Sequence, residues 1–124
     1  MKRNNQLQIL TRAEEEVMQF IWQLGECLVS DIIRAMGKSD IPHSTISSVV
    51  RILEKKNYVA HKTYGKTYLY YPQVARETYA QSNINKLVEH YFDNSPTELV
   101  SFLVKSEKLD LQQLNDLYKL LRKK

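Results

Sequence analysis

A chain of 124 residues with 43% hydrophobic and 26% charged residues is long enough for one ordinary domain or two small ones, and its composition excludes wholesale disorder. A formal net charge of +4 points mildly to an anionic partner. A single cysteine, Cys27, excludes an intramolecular disulfide and a paired-thiol zinc site, and no apolar run approaches the ~18 residues of a membrane span.

Met1–Gln8 reads as a polar, loose arm without a signal-peptide core, so the chain is expected to be soluble and cytoplasmic, with no direct membrane binding. Thr11 and Glu14 spell a capping box, in which each side chain satisfies the other residue's free amide. Ala13, Val17, Phe20, Ile21 and Leu24 continue a helical apolar stripe that stops before Gly25, with Trp22 as a core anchor. The run Glu14-Glu15-Glu16 suits the positive end of the helix dipole and reads as solvated. Cys27–Val29 is long enough only for a bridge of strand. Ser30 or Asp31 is expected to cap a second helix that carries Ile32, Ile33 and Met36 and stops at Gly37. Lys38–Ile41 reads as a turn.

The third helix, 42–56, opens at Pro42 and is expected to end at Asn57, which tolerates a left-handed backbone. Ile46, Val49, Val50 and Leu53 form its core stripe. Its other side carries Ser44, Ser47, Arg51 and Lys55 and no carboxylate, a set of donors suited to phosphates and base edges. The period then changes from helical to alternating. Tyr58–Thr63 and Thr67–Tyr71 read as a hairpin around Tyr64-Gly65-Lys66, and Pro72 closes the module. Three helices followed by a hairpin make a winged helix-turn-helix. Between Lys38 and Pro72, six basic residues (Lys38, Arg51, Lys55, Lys56, Lys62 and Lys66) face only Asp40 and Glu54, so the basic excess sits here.

Beyond the hairpin, three further helical patterns follow, over about Ala75–Phe92, from the capping box at Ser95-Pro96-Thr97-Glu98, and from Asp110 to a basic tail. They carry more apolar surface than three short helices can bury alone, which predicts self-association about a two-fold axis. Tyr79, Leu87, Val88, Tyr91, Leu99, Leu103, Leu114, Leu117 and Leu121 are the candidates for that interface. The expected fold is therefore mainly α with a small hairpin (α+β): a winged helix-turn-helix DNA-binding domain over 1–72, then a three-helix dimerisation domain over 73–124.

On this reading the third helix lies in a major groove. His43, Ser44, Thr45, Ser47, Ser48, Arg51 and Lys55 face the DNA, and the start of the first helix offers the Thr11 and Arg12 amides to a phosphate. Lys62, Tyr64 and Lys66 reach the backbone from the wing. Serines dominate the reading face, so DNA shape carries part of the specificity. His43, His61 and His90 have no metal-ligand spacing, and neither a phosphate-cradling glycine loop nor a nucleophile motif is present, so no enzyme activity, metal or cofactor is expected. A winged helix used only to bind another protein is the first alternative, disfavoured by the basic excess and the acid-free helix face. A DNA-binding protein switched by a ligand is the second.

Leu10-Thr11, Ala13-Glu14, Val17-Met18 and Ile21-Trp22, then Ser44-Thr45-Ile46, Val49-Val50-Arg51 and Leu53-Glu54-Lys55-Lys56, then Gly65-Lys66-Thr67-Tyr68-Leu69-Tyr70 and Pro72, together resemble the penicillinase-repressor family of bacterial regulators (BlaI/MecI/CopY type). The resemblance implies a homodimeric repressor on dyad-symmetric operator DNA. In one branch, a membrane sensor metalloprotease triggers cleavage of the repressor in its dimerisation helices, and the broken dimer leaves the DNA. Several positions depart from the family pattern. Asn57 stands where Gly is usual, Lys66 where Arg is frequent at the wing, and Ile52 where a second Arg is common. The C-terminal cysteine cluster of the copper-responsive branch has no counterpart. Ser101-Phe102 matches the cleaved Asn–Phe bond only in its Phe.

Overall fold

The structure, a computed structural model, describes residues 7–38 and 40–123. Helices α1 (Arg12–Leu24), α2 (Val29–Met36) and α3 (His43–Lys55) precede strands β1 (Val59–Tyr64) and β2 (Thr67–Pro72), and α4 (Arg76–Tyr91), α5 (Pro96–Lys105) and α6 (Leu111–Arg122) follow. The strands pair antiparallel from Val59 opposite Pro72 to Tyr64 opposite Thr67. This is an α+β winged helix-turn-helix followed by helices. The chain divides into two compact units, Met1–Ala80 and Gln81–Lys124, so the division falls within α4 and not after Pro72.

In the first unit, α1 begins as its sequence dictates: Thr11 Oγ1 accepts from the Glu14 amide at 3.2 Å and Glu14 Oε1 accepts from the Thr11 amide at 3.0 Å. Its buried face is Val17, Met18 and Ile21. Ala13 and Leu24, expected in that stripe, are exposed, while Met18 is fully buried. The apolar arc is thus rotated toward Met18, whose unbranched side chain fills the interior. Helix α2 starts earlier than a Ser30 or Asp31 cap would give. Leu28 is its N-cap, and the Asp31 carboxylate reaches back to accept from the Leu28 amide at 2.8 Å. Pro42 is the N-cap of α3 and not its first helical residue, with ψ 142°.

Ile46, Val50 and Leu53 of α3 meet Ile21, Ile32, Tyr58 and Val59 in one core. Full burial of such side chains contributes about 1.5–3 kcal/mol each. Asn57 ends α3 with φ 68°, the left-handed backbone expected of it. Cys27 forms an isolated bridge to Tyr70, which ties the α1–α2 connection to the wing. Burial, then the nearby Asp31 carboxylate, push the Cys27 thiol up to about 11, so it behaves as a small core residue.

The arm expected over Met1–Gln8 lies outside the described residues except for Leu7 and Gln8. Those two are anchored. Leu7 packs against the core, and the Gln8 carbonyl accepts from the buried Tyr58 hydroxyl at 2.6 Å. The carboxylate run is not uniformly solvated either. Glu14 is only 6% exposed and receives Lys56 Nζ at 2.6 Å, while Glu15 accepts from the Tyr79 hydroxyl at 2.6 Å.

In the second unit, Asp110 and Gln113 form a capping box at the start of α6. Ser95 caps α5 by accepting from the Glu98 amide at 3.2 Å, whereas its own amide donates to the Phe92 carbonyl, so this end is capped from one side. Phe92 and Phe102 pack with ring centroids 5.3 Å apart. Val88 is buried, but Tyr91, Leu111 and Leu120 remain 77%, 72% and 66% exposed. Among the described residues, no helix is long and apolar enough to cross a membrane.

Candidate nucleic-acid interface

The exposed side of α3 presents His43, Ser44, Thr45, Ser48, Arg51 and Lys55, with Ser47 half-buried at its edge. The serines hold the arginine. Arg51 Nη1 donates to Ser47 Oγ at 3.1 Å, and Nη2 lies 3.5 Å from Ser48 Oγ. The guanidinium therefore lies along its own helix, with five donors in a planar fork available for exchange onto a phosphate or guanine edge.

A cleft runs between the start of α2, the N-terminal half of α3 and β2. Ser30, His43, Ser47, Arg51, Lys66 and Tyr68 line it, and no carboxylate does so among the described residues. The cleft brings two of the five predicted cationic contacts, Arg51 and Lys66, to one surface although they come from different elements. Ser30, Thr67 and Tyr68 line it as well, although none of them is among the DNA contacts expected from the sequence. For Tyr68 a signal existed: alternation along β2 places it on the same face as Tyr70. Ser30 had none, because its role depends on where α2 begins.

The wing is braced against α3. His61 Nδ1 lies 2.7 Å from Glu54 Oε2, and the His61 ring stacks on Tyr68 with centroids 4.1 Å apart. Tyr64 is exposed beside the turn residue Gly65, whose φ of 62° suits glycine.

The structure redistributes the basic excess. Lys38 lies 3.8 Å from Glu16, Lys56 pairs with Glu14, and Lys62 pairs with Glu26 at 2.8 Å. Each acid lies in α1 or just after it, outside the segment whose charge looked unbalanced. Hydrogen bonding to Glu26, then its charge, raise the Lys62 ammonium above its ordinary value. Lys62 is thus held on the flank of β1, and Arg51, Lys55 and Lys66 form no ion pair among the described residues. At the start of α1 the Thr11 amide is already taken by Glu14, which removes it as a phosphate donor, while Arg12 stays exposed. Two residues expected at a dimer interface are placed differently. Tyr79 packs against Trp22 and Tyr58 in the first unit, with centroids 5.6 and 5.7 Å away, and Val88 is buried.

The family model described as penicillinase repressor matches residues 10–123. The penicillinase repressor of Bacillus licheniformis is 22% identical over 113 residues, covering 90% of this chain and 88% of that protein. The methicillin resistance regulatory protein MecI of Staphylococcus aureus is 25% identical over 122 residues, covering 98% of this chain and 99% of that protein. Among solved structures, Bordetella bronchiseptica BpsR is similar at 19% identity and a TM-score of 0.47, covering 92% of this chain and 74% of that one. A MarR family protein from Bacillus stearothermophilus is similar at 16% identity and a TM-score of 0.45, covering 91% and 76%. With a family model matching nearly end to end, the chain belongs to the penicillinase repressor family of DNA-binding transcriptional regulators, which are not enzymes.

Proposed function

We propose that this chain represses transcription in the bacterial cytoplasm as a homodimer on dyad-symmetric operator DNA, with α3 in the major groove and the wing on flanking phosphates. The observation that carries this reading is the acid-free cleft in which Arg51 and Lys66 converge with the hydroxyls of Ser30 and Ser47. Arg51 and Lys55 supply the long contacts, and His43, Ser44, Thr45 and Ser48 the short ones. Lys66 and Tyr64 touch the backbone from the wing. Lys62 joins them by exchanging Glu26 for a phosphate.

Dimerisation is proposed through the second unit. Tyr91, Leu117 and Leu121 leave much of their apolar surface in water, and Leu99, Leu103 and Leu114 are half-buried. Two half-site energies then combine at high effective concentration. Relief of repression is proposed to follow loss of the dimer, through proteolysis near Ser101-Phe102 set off by a membrane sensor metalloprotease encoded nearby. Phe102 supports this place: it lies in α5, more than half exposed, so a cut there breaks the unit that holds the partners together.

The test is a titration of the full chain against duplexes selected by it from a random pool, read by fluorescence anisotropy over a range of salt. Selected duplexes are expected to bind at least about 10³-fold tighter than scrambled ones. Log affinity should fall linearly with log salt. Equal affinity for selected and scrambled duplexes would overturn the repressor reading.

A further inference from the structure

We infer that Ile52 is a specificity-determining residue that reads the C5-methyl group of a thymine in the major groove. The inference rests on the proposed placement of α3 in that groove.

At about 100° per residue, the exposed side of α3 has two flanks. Ser47 and Arg51 lie on the flank that borders the wing cleft. Thr45 and Ile52, seven residues apart, lie on the other. Between them run Ser44, Ser48 and Lys55. Ile52 is 41% exposed and stands apart from the hydrophobic core, whose α3 members are Ile46, Val49, Val50 and Leu53. It borders a shallow depression shared with Ser48, Arg51, Glu54 and Lys55, in which the Glu54 carboxylate is engaged by His61 Nδ1 at 2.7 Å.

An isolated surface isoleucine is unremarkable on most helices. Here its neighbours are the side chains that present hydroxyls and cations to the DNA, and the whole face becomes desolvated on binding. An aliphatic side chain offers nothing to a phosphate, and set against a base amino group or carbonyl it would leave that group unpaired. The one major-groove feature it complements is the thymine methyl, which no other natural base pair presents. The reading face is therefore divided: the wing flank selects by charge and hydrogen bonds, the opposite flank by a methyl contact.

The experiment is a thymine-to-deoxyuridine scan, which removes one methyl at a time and leaves every hydrogen-bonding group in place. The DNA is a duplex selected from a random pool by the full-length protein, and the proteins are the wild type, Ile52→Ala and Ile52→Arg. For the wild type, one thymine per half-site should lose about three- to fivefold in affinity on losing its methyl, the worth of one buried methyl group. In Ile52→Ala the same replacement should have no effect. Ile52→Arg should also lose the methyl dependence and steepen the salt slope by about one unit per protomer. Because Ile52 lies outside the core, both variants should melt like the wild type. Selective binding with no methyl-dependent thymine, or methyl dependence that survives in Ile52→Ala, overturns this inference alone. Absence of any sequence-selected duplex overturns it together with the proposed function.

Discussion

Glu14 and Arg51 show how differently single charged side chains are used in this small protein. Burial by itself would raise the Glu14 carboxyl, but the Lys56 ammonium and the Thr11 amide and hydroxyl outweigh it and hold the group below its ordinary value of 4.5. Lys56 also donates to the Ile9 carbonyl at 2.9 Å, so one ammonium joins the end of α3 to the start of α1 and the chain before it. A group with a lowered folded pKa stabilises the fold above its unfolded pKa. That contribution is lost as pH falls below 4.5 toward the folded value. Glu14→Ala should therefore destabilise the first unit by about 1–3 kcal/mol at pH 7, since it strands a partly buried ammonium. The gap between wild type and variant should close as pH drops below 4.5, as read by urea melts across pH. A gap that stays constant to pH 3 would show that packing, not the ion pair, holds this corner. Among the described residues Arg51 forms no ion pair and donates to the Ser47 hydroxyl, so on the proposed reading it can turn to the DNA. If it reads a guanine, Arg51→Ala should cost about 1–3 kcal/mol of affinity and relax selectivity at one position per half-site. A uniform loss over all sequences with a shallower salt slope would assign it to a phosphate.

At the level of elements, the Glu54–His61–Tyr68 series links the exposed part of the wing to α3. Replacing His61 with Ala removes one hydrogen bond, the stack on Tyr68 and an edge contact with Tyr70. The loss should be about 1 kcal/mol, or roughly 4–8 °C in the melting temperature of a domain this size. Specific DNA affinity should fall further than fold stability predicts, because Tyr68 and Lys66 lose their support. Equal losses for specific and scrambled DNA would assign the brace a purely structural role. The elements themselves were legible in the sequence: the Thr11 and Asn57 ends, the change of period at Tyr58 and the Gly65 turn all act over a few residues. What was not legible depends on partners distant in the chain. Glu14 looked solvated because Lys56 lies 42 positions away, and Lys62 looked free because Glu26 precedes it by 36. Tyr79 looked like an interface residue because its apolar spacing cannot reveal that Trp22 and Tyr58 already cover it. Charge counted along the chain therefore overstated how many cations of residues 38–72 stand without an acid, since Lys38, Lys56 and Lys62 each meet one from α1 or just after it.

For the whole molecule the decisive quantity is the apolar surface that the second unit leaves in water. Leu117 and Leu121 are one helical turn apart on α6, and both are about half exposed. Neither side chain is needed to start the helix, which the Asp110–Gln113 box does at its other end. The double variant Leu117→Glu/Leu121→Glu should therefore keep its helix content by circular dichroism while sedimenting as a monomer. Its affinity for a full operator should fall by about 10²–10⁴, the advantage that linking two modules confers. Its affinity for an isolated half-site should stay near that of the wild type, because no residue of the reading face has changed. This separation of dimer from reader is what would let one cut in α5 end repression without altering α3. If the monomeric variant held a full operator as tightly as the wild type, each protomer would be binding independently, and release by breaking the dimer would be impossible.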